Sequence, residues 1–150
     1  MNKYRHRGGL EGYLNSSIGE AAGVLGGNMD DRALITINRR GVFSLEEAQR
    51  ILPVVRRITF EYSAKVELLI ARLETLQLNQ TETICTLEKQ INELIQVWNE
   101  KIRKLGAEPR GLWVVDFDSG EGYYCWKHPE TDILYSHSYE DGYSGRKPLI

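Results

Sequence analysis

A chain of 150 residues, 41% hydrophobic and 27% charged, has apolar side chains enough for one modest core and the balance of an ordinary water-facing domain. A formal net charge of −2 and a pI near 6.0 argue against a protein that grips nucleic acid over its whole surface. No apolar run is long enough to span a bilayer and residues 1–10 lack the apolar stretch of a secretory signal, so a cytoplasmic protein is expected, with Cys85 and Cys125 as free thiols.

Residues 1–40 differ in character from the rest. Gly8, Gly9, Gly12, Gly19, Gly23, Gly26 and Gly27 interrupt any helical period, and large apolar residues are sparse until Leu34, Ile35 and Ile37. Such a segment buries too little surface to offset its ordering entropy, so it reads as a mobile arm, with residues 33–37 as a short strand or a patch against the main body. Lys3, Arg5, His6 and Arg7 make its start basic, which suits either an anion or RNA contact or a solvated tail. Residues 41–150 read as a single domain.

That domain is organised around a helical hairpin over residues 43–105. Ser44 followed by Glu47 has the spacing of a capping box, with Phe43 just before it. Leu52, Val55, Thr59, Tyr62, Val66, Leu69, Leu73 and Leu76 follow in steps of three and four, which keeps one stripe of a helix facing a partner. Pro53 removes an amide and crowds the preceding turn, predicting a kink, or a short helix over residues 44–52 running into the long one. The arm is expected to end near Gln77, with Asn79 and Glu82 as a second capping box. Ile84, Leu87, Ile91, Leu94, Trp98, Ile102 and Leu105 then form the second stripe, widened by Ile95, and Gly106 supplies the left-handed residue that ends it. Two helices alone do not cover both apolar faces. The surplus is met by the C-terminal segment or by a second copy, and a homodimer paired through the helices is the expectation.

After Gly106 the period changes to that of strands. Residues 107–111 read as a linker, 112–117, 122–128 and 133–137 as three strands, and 118–121 and 128–132 as the turns between them. The fold class is therefore α+β: a long antiparallel helical hairpin followed by a small three-stranded antiparallel meander. If the turns set the register, Trp113, Trp126 and Tyr135 share one cross-strand row and Val115, Tyr124 and His137 the next. That aromatic face would cover the hairpin while Asp116, Tyr123, Cys125 and Lys127 look away from it.

The same half carries a set of motifs: Asp116-Phe117, Cys125-Trp126-Lys127 with Glu130 close behind, Tyr135-Ser136-His137, and residues 142–148 beginning Gly142-Tyr143-Ser144-Gly145-Arg146. With Phe43 to Ala48 and Leu52-Pro53, these resemble the bacterial family called domain of unknown function 2203, over about residues 43–150. The chain departs from that pattern at Trp113-Val114 and at His128-Pro129. The resemblance implies no activity, so function is argued from residues.

Asp116, Glu130, His137 and Arg146 offer acid, imidazole and guanidinium groups able to converge on a small anion or a metal. The bland alternatives are turn hydrogen bonds for Asp116, a pair with Lys127 for Glu130, a satisfied histidine at His137 and a tail-fixing ion pair for Arg146. Cys125, His128 and His137 are zinc-type ligands within a short span, but strand residues three apart face opposite ways and a fourth ligand is not evident, so no cofactor is expected beyond that zinc candidate. Nucleophile elbows, phosphate loops and dinucleotide fingerprints are absent. Tyr139 and Tyr143, on a glycine-flexed loop over residues 138–146, are placed to meet a partner or to act as a lid. The expected role is a non-catalytic binding or adaptor module presenting Asp116, Trp126, Glu130, Tyr135, His137, Tyr143 and Arg146 to a protein or small ligand, with no membrane or nucleic-acid partner. The alternative is a metal-dependent or acid/base enzyme using His137 with Asp116 or Glu130.

Overall fold

The computed structural model describes residues 41–150. The expected glycine-rich arm, its basic start and the strand at residues 33–37 lie outside the described residues. The first helix, α1 (Leu45–Glu74), begins as the sequence requires. The Ser44 hydroxyl accepts the Glu47 amide at 3.1 Å and the Ser44 amide donates to the Glu47 carboxylate at 3.0 Å. The helix then runs unbroken past Pro53, so the expected division at that residue does not occur. Pro53 lies on the exposed side and removes only the amide that would have reached the Gln49 carbonyl.

Helix α1 stops three residues short of Gln77, where the Thr75 amide and hydroxyl both donate to the Arg72 carbonyl. Helix α2 (Thr81–Lys104) starts without a side-chain cap. Gln80, not Asn79, precedes its first residue, and the Gln80 side chain instead accepts the Gln77 amide at 2.9 Å, tying the connection to itself. Gly106 closes the helix at φ 87°, the left-handed value that glycine adopts without a Cβ penalty.

The two predicted stripes meet. Leu52, Val55, Tyr62 and Val66 on α1 and Leu87, Ile91, Ile95, Trp98 and Ile102 on α2 are buried, each worth about 1.5–3 kcal/mol of transfer free energy. Thr59, the polar residue in the first stripe, is fully buried too, and its hydroxyl accepts the Trp98 indole N–H at 2.9 Å. That bond removes the penalty of sealing both groups from water.

The C-terminal half is a five-stranded antiparallel meander, two strands more than expected: β1 (Glu108–Pro109), β2 (Val114–Asp118), β3 (Tyr123–Lys127), β4 (Tyr135–His137) and β5 (Lys147–Pro148), side by side in chain order. The added β1 and β5 are two-residue edges, too short to show alternation. Its inner face sets Val115, Phe117 and Trp126 against the hairpin, with Phe43 edge-on to Phe117 at 5.2 Å. Trp113 is not in a strand. It takes φ 61° in a turn, a strained conformation for a bulky residue, and its ring packs edge-on to Trp98 at 4.9 Å.

The register differs from the expected rows. Val115 pairs with Trp126 and Phe117 with Tyr124, so β2 and β3 keep their predicted faces. On β4, however, Tyr135 pairs with Cys125 and His137 with Tyr123, which turns both to the outer face. A one-residue offset reverses every side chain of a strand. It is set here by the connection between β3 and β4, whose buried Ile133 is clamped to α1: the Gln49 side chain donates to the Ile133 carbonyl at 3.3 Å and accepts its amide at 3.4 Å. Among the described residues no helix is long and apolar enough to cross a membrane.

Candidate functional site

The offset of β4 creates the site. Asp116 at the middle of β2 stands directly across from Cys125 on β3, and His137 on β4 lies diagonally beside them on the same outer face. Their ligand-type atoms, one from each residue, all fall within 4.8 Å of one another, and all three residues are buried. Gly122 permits the approach. A methyl group there would sit 2.7 Å from the His137 carbonyl oxygen, so any larger residue pushes β4 away from β3.

The protons on His137 are set by its neighbours. Nδ1 lies 2.9 Å from the Ser138 carbonyl oxygen, which only accepts, so Nδ1 carries a hydrogen and donates it. Nε2 then faces Asp116 Oδ1 at 3.1 Å. A neutral ring presents a lone pair there to a carboxylate oxygen, and two acceptors do not bind each other. Either a proton or a cation must lie between them. The other carboxylate oxygen, Oδ2, is 3.4 Å from Arg110 Nε, and Arg110 also ion-pairs with Glu108 and donates to the Tyr123 hydroxyl at 3.0 Å. Burial, with the Asp116 charge and hydrogen bond adding to it, pushes the Cys125 thiol far above its usual range. Without a cation Cys125 is a neutral thiol and a poor nucleophile.

Aromatic and cationic side chains cover this face. The Tyr123 ring lies 5.4 Å from His137, with Arg110 over it at 5.1 Å and Tyr139 edge-on at 5.0 Å. The Tyr139 hydroxyl donates to Asp118 Oδ1 at 2.6 Å, a bond that holds its proton to about 12. Beside it is a second stack. Arg146 lies between the rings of Tyr135 and Tyr143 at 4.1 and 4.2 Å, donates to Glu130 at 2.8 Å, and shares Tyr143 with Lys127 at 4.7 Å. Burial acts to lower the Arg146 pKa, but the Glu130 hydrogen bond and charge outweigh it.

Of the residues singled out in the sequence, the structure therefore joins Asp116, Cys125 and His137. Glu130, Tyr135, Tyr143 and Arg146 form the neighbouring stack, and Glu130 further accepts the Lys127 amide at 3.0 Å. Glu130 is thus not the partner of His137. Trp126 points inward as core, its indole N–H on the Glu130 carbonyl at 2.7 Å. His128 lies near Trp126 and Phe60, at 6.2 and 6.4 Å between ring centres, rather than with Cys125. Sequence reasoning missed Arg110 and Gly122. Arg110 sits in what reads as a linker, and a glycine flanking a turn signals conformation before it signals close approach.

The sequence profile of the family described as "Uncharacterized conserved protein (DUF2203)" matches residues 41–149, and the chain belongs to that family. No curated protein and no solved structure matches it.

Proposed function

We propose that this member of DUF2203 is a metal-binding protein whose buried Asp116, Cys125 and His137 hold one divalent ion of the zinc class. The observation that supports this reading is His137 with Nδ1–H fixed on the Ser138 carbonyl and Nε2 turned to Asp116 Oδ1, because anchoring one ring nitrogen on a carbonyl is the usual way to present the other to a metal. Thiolate, imidazole and carboxylate together suit zinc over magnesium or calcium, which prefer oxygen-only cages. Three protein donors leave one tetrahedral position for a ligand from elsewhere. The role is one of binding, in a reducing compartment such as the cytoplasm, where Cys125 stays available.

The test is metal content and a cobalt(II) spectrum of the full-length protein. One equivalent of zinc, and a cobalt–thiolate charge-transfer band lost in Cys125→Ser and in His137→Ala but kept in His128→Ala, is the expected result. A wild-type protein that takes up neither ion after reduction would overturn the proposal.

Pairing of two copies through the helices stays part of this reading. Leu68 is 73% exposed on α1, and Leu69, Ile70 and Leu76 are only partly covered. Light scattering should give twice the chain mass, and a monomer would remove this element alone.

A further inference from the structure

A cleft of about 350 Å³ lies between α1 and the start of the β3–β4 connection, lined by Pro53, Arg56, Arg57, Phe60, His128 and Pro129. The four helical residues fall at steps of three and four, so they form one exposed stripe facing the turn. On the same helix Arg50 pairs with Glu46 and Lys65 with Glu61, each at i,i+4. Arg56 and Arg57 have no carboxylate partner among the described residues. The sequence explains why. Leu52 and Phe60 stand four residues either side of Arg56, Pro53 stands four before Arg57, and Glu61, four after it, is already held by Lys65 at 3.0 Å. Two arginines thus line one concave surface, neither of them in an ion pair there.

Beside them Phe60 is 67% exposed, its ring 6.4 Å from that of His128, and Pro53 and Pro129 extend the apolar floor. Burial lowers the His128 pKa and the Arg56 charge adds to this, against the field of Glu67, so the imidazole adds a hydrogen-bonding group rather than a third fixed cation. We propose that this cleft binds a small aromatic oxyanion, a planar ring carrying a phosphate or a carboxylate. Arg56 and Arg57 take the oxyanion in the fork geometry that guanidinium groups offer both anions, and the ring lies against Phe60. A cleft of this volume is within the range of small-ligand sites. None of its residues belongs to the Asp116–Cys125–His137 centre, so the two readings stand or fall separately.

Calorimetric titration of the full-length protein with phenyl phosphate, benzoate, inorganic phosphate and phenol tests it. Phenyl phosphate or benzoate should bind about tenfold or more tightly than either inorganic phosphate or phenol, and the better of the two names the oxyanion. Arg56→Ala and Arg57→Ala should each weaken that binding about tenfold, whereas Phe60→Ala should weaken the aryl ligand and spare inorganic phosphate. All three positions are on the surface, and an unchanged thermal melt confirms folding. His137→Ala should leave the affinity as it was. Equal affinities for phenyl phosphate and inorganic phosphate, or indifference to both arginine substitutions, would overturn the proposal. So would a short RNA that outcompetes the aryl ligands through the same arginines.

Discussion

The two faces of the meander are buried by different means. The inner face sets Val115, Phe117 and Trp126 against the hairpin, and its free energy is that of apolar transfer and close packing. The outer face buries an acid, a thiol and an imidazole under stacked tyrosines and arginines, an arrangement that costs desolvation and returns little unless every polar atom is matched. Strands that need only cohere are served by the inner face. The buried polar groups on the other side of the same strands are held instead by hydrogen bonds and ion pairs.

The largest break in this contrast should come from the inner face. Trp126→Ala is expected to destabilise the protein by about 3–5 kcal/mol in urea unfolding, and to lose metal only because the fold is lost. Next comes zinc itself. At a free concentration about a hundred times its Kd it should add about 2.7 kcal/mol to the wild-type stability, nothing to His137→Ala, and the gain should vanish on chelation. Gly122→Ala acts on the backbone of β4, because its methyl meets the His137 carbonyl. A loss of about 1–3 kcal/mol with a disproportionate fall in zinc affinity is expected, and a fall in stability with unchanged affinity would mean that β4 is not what positions the ligand. Ser44→Ala removes a hydroxyl bonded only to the Glu47 amide and should cost about 1 kcal/mol with metal affinity intact, which makes it the reference for the other three.

The hairpin was legible from local pattern because a helical stripe repeats over many residues and Ser44, Glu47 and Gly106 mark its ends. The last turn of α1 and the start of α2 were less so, since Gln80 spends its side chain on the loop. The outward direction of Asp116 and Cys125 also followed from alternation, but the direction of His137 did not. It depends on a contact between Gln49 and Ile133, 84 residues apart, which fixes how many residues the connection absorbs before β4 begins. The Cys125-x-x-His128 spacing groups Cys125 and His137 with His128, while Asp116 falls with Glu130, His137 and Arg146, so Asp116 and Cys125 enter two overlapping sets and are not joined. The two edge strands escaped notice because two residues carry no period.

The strands lie in the sheet in the order in which they leave the ribosome. Asp116, Cys125 and His137 therefore come from three consecutive strands, and each new strand docks on the one made just before it, closing only short loops. The centre is not whole until His137 has been synthesised, and every residue of both helices precedes Asp116 in the chain. An ion captured there would act as the last fastener of a nascent chain, favouring molecules that have finished their sheet over those that have built only the hairpin.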